Sequence, residues 1–307
     1  MPMIKDRLAL KKIEKSIAGK KILSDVSFSV RENEIVGLLG PNGAGKTTAF
    51  YIAAGLLFPD KGFVEIDSHA VTNLPMHQRS SIGLSYLPQE ASIFQDLTVE
   101  ENLRGIAELT MNAELDRINF FERAVDEFGL ENILMQKGRL LSGGQRRKVE
   151  IARTLACNPT ILLLDEPFAG IDPIAIEDIK ALLNKIVARG ISILITDHNV
   201  RETLNLCSPY ELIIIPMINK NDNTALIKAE NIFYELKKNN IDTVIDDTDE
   251  NYSSKIKKSN LIGAPYQIII GKKSEGDLLE FKETGKEAKN LPLNEIIKTI
   301  KELKVKK

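Results

Sequence analysis

Gly40-Pro41-Asn42-Gly43-Ala44-Gly45-Lys46-Thr47 constrains this 307-residue chain more than any other stretch. It fits the spacing G-x-x-x-x-G-K-[ST], with the apolar run Glu34-Ile-Val-Gly-Leu-Leu39 before it and an apolar helical run from about Thr47 to Leu56 after it. Strand, glycine loop and helix in that order place backbone amides at a helix N-terminus, where phosphate binds. The glycines bring the amides close, Lys46 reaches the outer phosphates, and the Thr47 hydroxyl, followed by Thr48, is placed for Mg²⁺. The expected ligand is therefore ATP with Mg²⁺, held in an α/β fold behind a buried strand.

A second anion-binding element lies about a hundred residues on. Leu141-Ser142-Gly143-Gly144-Gln145 is a short turn leading into the basic, helix-period run Arg146–Arg153. Two phosphate-binding elements in one small domain imply that ATP is clamped between two copies of it. Thr160–Leu164 and Ile191–Ile195 are continuous apolar runs of the kind that fill a parallel sheet. The first leads into Asp165-Glu166. Asp165 is expected to hold Mg²⁺ and Glu166 to act as general base on water; taken alone, the pair also reads as a cap on the turn Pro167–Asp172. The second run leads into Thr196-Asp197-His198. His198 is either a donor to the terminal phosphate or a structural histidine at a strand end. Gln89, in Tyr86-Leu-Pro-Gln89, follows another strand and is expected to sense Mg²⁺ or water.

Composition limits the partners. A net charge of −2 excludes a generally basic nucleic-acid binder. Cys157 and Cys207 match no metal spacing, no apolar run reaches membrane-spanning length, and the N-terminus carries no signal-like segment. Arginine usage marks a seam: all twelve arginines lie at or before Arg201, whereas the last 99 residues hold seventeen lysines. Cys207-Ser208-Pro209 sits at the change and reads as a helix stop. Before it, strands and helices alternate around a mostly helical stretch at 98–138, opened by a capping-box sequence, Thr98-Val-Glu-Glu101. After it the pattern restarts, with strands at 211–216, 243–245, 266–271 and 278–282 and helices at 224–239, 252–262 and 293–304. Two domains are expected, 1–208 and 209–307, with a helical subdomain at about 91–140.

The order of phosphate loop, Gln89 loop, Leu141–Gln145, Asp165-Glu166, Ala169-Gly-Ile-Asp172 and His198 resembles the ATP-binding subunits of ABC transporters. Flanking stretches, Tyr86–Phe94, Asp165–Pro173 and Leu194–Thr203 among them, narrow the resemblance to the ATPases of bacterial lipopolysaccharide export, over residues 7–207. The resemblance implies a P-loop NTPase fold and a homodimer. ATP on Lys46 and Thr47 of one subunit would meet Ser142, Gly143 and Gly144 of the other. It also implies membrane permease subunits that contact Gln89–Leu97, and a place on the inner face of the cytoplasmic membrane. Ile17 stands where such ATPases carry an aromatic residue against adenine. The family continues about forty residues beyond the helix after His198, a segment replaced here, so residues 1–208 alone are expected to be poorly soluble.

Residues 209–307 instead resemble the anticodon-binding domain of bacterial prolyl-tRNA synthetases, through Ile241–Asp247, Leu261-Ile-Gly263-Ala-Pro265–Gly271 and Leu279–Lys282. Thr248 and Asn251 stand where that family carries basic residues. Lys255, Lys257, Lys258, Lys272 and Lys273 read either as phosphate contacts or, beside sixteen acidic residues in the same tail, as a solvated face. No synthetase catalytic part is present, so no tRNA ligation is expected. Two functions stay open: a transport ATPase whose end has been replaced by a passive or non-functional fusion, and an ATP-regulated tRNA-binding protein.

Overall fold

The computed structural model describes residues 5–40, 43–208, 210–217, 224–248, 250–271, 278–284 and 286–305. The chain divides into two compact units, Met1–Val200 and Arg201–Lys307.

The first unit opens with β1 (Asp6–Ile17) and β2 (Lys20–Arg31), then β3 (Ile35–Leu38), α1 (Lys46–Ala54), β4 (Lys61–Ile66), β5 (His69–Ala70), α2 (Met76–Ser80) and β6 (Leu84–Leu87). Helices α3 (Val99–Thr110), α4 (Glu114–Phe128) and α5 (Gly143–Leu155) follow, then β7 (Ile161–Asp165), α6 (Pro173–Ala188) and β8 (Ser192–Thr196). Strands β2-β1-β4-β5 make an antiparallel sheet, and β3-β8-β7-β6 a parallel one. One apolar core joins them, with α1 packed between: Leu8, Leu10, Ile13, Phe50, Ile52, Val64, Leu163 and Leu194 are all buried in it. Such a sheet directs the C-terminal ends of its strands, and the loops after them, to one edge.

Strand β3 departs from the expectation of a buried strand. It lies at the edge of the parallel sheet, and all four of its residues are only half-buried. An apolar run predicts burial, but periodicity alone does not separate an edge strand from a central one. The capping box at Thr98 is present: the Thr98 side chain accepts from the Glu101 amide, and the Glu101 carboxylate accepts from the Thr98 amide at 2.7 Å. Arg79 is fully buried, with no carboxylate partner among the described residues. It donates to the carbonyls of Ile52 and Ala53 at the end of α1 and to those of Thr72 and Leu74. A helix C-terminus carries partial negative charge, so the guanidinium is matched there, although burial still lowers its pKa to about 10.

The second unit continues from α7 (Val200–Cys207), which starts at the division, through β9 (Leu212–Pro216), α8 (Thr224–Lys238), β10 (Thr243–Ile245) and α9 (Tyr252–Ile262). It ends with β11 (Tyr266–Ile270), β12 (Leu278–Glu283), β13 (Lys289–Pro292) and α10 (Leu293–Val305). Its sheet runs β10-β9-β11-β12-β13, parallel over the first three strands and antiparallel after them. The continuous apolar runs of β9 and β11 are fully buried there, covered on one face by α8 and α10. Lys255 corrects both readings of the tail's lysines. It is wholly buried, and its ammonium donates to the carbonyls of Pro216 and Asp246, both at 2.9 Å. Lys257 is exposed, Lys258 lies 3.9 Å from the buried Asp246, and Lys272 and Lys273 fall outside the described residues. Among the described residues no helix is long and apolar enough to cross a membrane.

Candidate nucleotide site

The phosphate loop leaves β3 and enters α1, whose N-cap is Gly45. Pro41 and Asn42 lie outside the described residues. Gly43 (φ 79°) and Gly45 (φ 87°) adopt left-handed backbone, which glycine takes at no steric cost. At Gly45 space is also short, since a Cβ would sit 2.6 Å from Leu23 Cδ2. The first turn of α1 contains no acidic side chain, so its amide end stays electropositive. Lys46 donates to the Gly40 carbonyl at 2.6 Å, Ala44 and Thr47 are exposed, and Thr48 is half-buried.

Two neighbouring strand ends carry the carboxylates. Asp165 closes β7 opposite Thr196 of β8 and is 6% exposed. Its Oδ1 accepts from the Thr196 hydroxyl at 2.7 Å, and its Oδ2 from the Tyr86 hydroxyl at 3.4 Å. Burial and the nearby Asp165 charge push the Tyr86 phenol well above its usual range, so it stays a donor. Glu166 follows in left-handed backbone (φ 45°), with its amide bonded to the Thr196 carbonyl at 2.8 Å. A non-glycine residue held there is strained, and such strain gathers at functional sites. The Glu166 carboxylate lies 2.6 Å from Nε2 of His198, which is 56% exposed. Burial raises the Glu166 pKa above 4.5, opposed by His198 and reinforced by the charges of Asp165 and Asp197. Asp197 is itself committed to the amides of Phe168 and Asn199.

Gln89 is exposed just beyond β6, which pairs with β7 up to Leu87–Leu164. Arg147 of α5 ties these parts together. It is buried, and its guanidinium donates to the carbonyls of Pro88 and Asp165 (both 2.9 Å) and to Glu150 (3.2 Å). Glu150 in turn accepts from the Ser92 amide at 2.9 Å. Ser142 is the N-cap of α5: its hydroxyl accepts from the Gln145 amide, and the Gln145 side chain accepts from the Ser142 amide. The structure thus gathers Asp165, Glu166 and His198 at adjacent strand ends, with Gln89 one strand over. The Ser142–Gln145 turn is seated instead on Gly170, Ile171 and Ala175. Thr196, Tyr86, Arg147 and Glu150 escaped sequence reasoning. Only Thr196, directly before Asp197 at the end of an apolar run, left a local signal.

Both units match known protein families. The ABC transporter family model matches residues 23–169, and the anticodon binding domain model matches residues 211–303. A lipopolysaccharide export system ATP-binding protein, LptB, of Haemophilus influenzae is 51% identical over 201 residues, 65% of this chain and 83% of that protein. LptB of Escherichia coli K12 is 48% identical over 204 residues, again 65% and 83% of the two chains. A probable ABC transporter ATP-binding protein of Azorhizobium caulinodans is 53% identical over 194 residues, 63% of this chain and 69% of that one. Among solved structures, an ATP-binding cassette of an ABC transporter in its ADP conformation superposes with TM-score 0.59 at 30% identity, covering 66% of this chain and 85% of that one. A dimeric post-hydrolysis cassette bound to ADP and Pi gives TM-score 0.57 at 27% identity, covering 66% and 91%. With its P-loop α/β unit followed by an anticodon-binding-like one, this chain belongs to the ABC transporter ATP-binding proteins, a family of ATPases.

Proposed function

We propose that this chain is the ATP-hydrolysing subunit of a lipopolysaccharide export transporter, working as a homodimer with two shared ATP sites on membrane permease subunits. The observation that carries the reading is the Glu166–His198 contact beside Asp165, at strand ends next to the strand that feeds the phosphate loop. The roughly 50% identity to the LptB proteins supports the choice of cargo. The donors suit Mg²⁺: the Asp165 carboxylate, the Thr47 hydroxyl and the Gln89 amide offer hard oxygens, and Asp165 is already oriented by Thr196. Mg²⁺ bound there neutralises charge building on the phosphate oxygens.

The chain's own groups do the rest. The backbone N–H groups of Gly40–Thr48, Pro41 excepted, and the Lys46 ammonium hold the phosphates. Glu166, as carboxylate, takes a proton from the attacking water, and His198 holds that carboxylate in place at 2.6 Å. Ser142, Gly143, Gly144 and Gln145 meet the ATP held by the partner subunit. Opening and closing of the pair drives the permease, and the second unit is passive, its Lys255 being bound internally. Glu166→Gln tests this directly: hydrolysis should fall by about 10²–10⁴-fold, and ATP should trap a dimer in size-exclusion chromatography. A variant that binds ATP yet stays monomeric refutes the shared site.

A further inference from the structure

Gly144 is buried, although its neighbour Ser142 is exposed. A methyl group built on Gly144 would lie 2.4 Å from Cβ of Ala175, and one on Gly143 would lie 3.0 Å from the Gly170 carbonyl oxygen. Carbon atoms approach favourably only to about 3.5–4 Å, so the turn has no room for a side chain against its own subunit. One further contact crosses the same interface, and a local cap fixes its floor. One helical turn along, Lys148 pairs with Asp178 at 2.7 Å. At the start of α6, the Asp172 carboxylate accepts from the amides of Ile174 (3.1 Å) and Ala175 (3.0 Å). The loop that begins at Glu166 therefore ends by holding the residue on which Gly144 rests.

We infer that Ala175 is a positioning residue. Its small side chain sets the height of the Ser142–Gln145 turn over the Glu166–Asp172 loop. The turn that a subunit offers to its partner's ATP then moves as one piece with its own water-activating loop. This rests on the shared-site reading above. Gly144 is a glycine because Ala175 stands against it inside the chain, and a nucleotide approaching from outside is not the sole reason.

An exchange of the methyl group tests this. In the full chain carrying Glu166→Gln, four proteins are compared: the parent, Gly144→Ala, Ala175→Gly and the double variant. The melting midpoint is read without nucleotide, and the dimer population at fixed ATP. Gly144→Ala should lower the midpoint by about 2–6 °C and the dimer population about tenfold. The double variant should recover most of both, because the added methyl occupies the space vacated by the other. A double variant as damaged as Gly144→Ala overturns the inference. So does one that regains its midpoint without its dimer, since the glycine would then answer to the nucleotide. If the parent never dimerises, the shared-site reading falls, and the melting comparison alone decides whether Ala175 dictates Gly144. With Glu166 intact, Ala175→Val should raise KM for ATP while the nucleotide affinity of the free chain stays unchanged. Equal losses in both would mark a merely structural residue and overturn the proposal.

Discussion

Asp165 and Asp246 occupy similar places in the two units: Asp165 ends a parallel strand, Asp246 directly follows one, and each is only 6% exposed. Their surroundings differ. Asp165 is oriented by hydroxyls on neighbouring strands and is followed by Glu166 and the exposed His198, so the strand ends present chemistry outward. Asp246 turns inward: its Oδ1 accepts from the Thr248 hydroxyl at 2.5 Å, its carbonyl accepts from the buried Lys255, and its Oδ2 is buried with no hydrogen-bond partner among the described residues. A parallel sheet directs its C-terminal edge toward a ligand, but a site exists only where the groups that follow the strands there, as Glu166 and His198 do, face outward.

The largest effect that separates the two edges is expected at Lys255. Lys255→Met removes the cation that holds two strand-end carbonyls and leaves both without that donor, a loss of about 3 kcal/mol. Urea unfolding of the full chain should show an earlier transition, with ATP hydrolysis by the remaining folded chains unchanged. A hydrolysis defect of equal size would break the comparison by tying the tail to the site. A smaller effect is expected at Ile17, 47% exposed at the tip of the β1–β2 hairpin. Ile17→Tyr restores a stacking surface for adenine and should lower KM for ATP about fivefold, a gain of about 1 kcal/mol. Unchanged kinetics would show that adenine does not lie there.

The smallest change is a pH displacement. Hydrolysis needs Glu166 as carboxylate, and burial already raises its pKa above 4.5, so the acid limb of kcat should lie above that value. His198 pulls the pKa down, so its removal lets it rise further. His198→Ala should therefore move the acid limb to higher pH, losing activity first under mildly acidic conditions. An acid limb that stays put, or moves down, would separate His198 from Glu166.

Much of this was legible in the sequence where the signal is local. The phosphate loop needs left-handed backbone at Gly43 and Gly45, and only glycine spacing supplies it cheaply. Strands β7, β8, β9 and β11 announce themselves because both faces are buried. Strand β1 does not. Its register with β2 shifts repeatedly between Asp6 and Ser16, which breaks the alternation that a reader would look for. Strand β13, Lys289–Pro292, is only partly covered and has no apolar pattern to read. Arg147 was invisible as a link because its partners lie 59 and 18 residues away. A charged residue in a basic run gives no hint that it will be buried.

Helix α7 carries one last consequence. Composition changes near residue 208, yet the backbone divides at 200/201, so a helix whose text continues from the strand of His198 is grouped with the tail. There it meets α9 so closely that a Cβ on Gly263, at φ 78°, would fall 2.5 Å from the Leu204 carbonyl oxygen. In a chain whose two parts match different families, the seam in composition and the division of the fold need not coincide. Anyone cutting this protein into parts should cut where the backbones separate, before Arg201, and not where the alphabet changes.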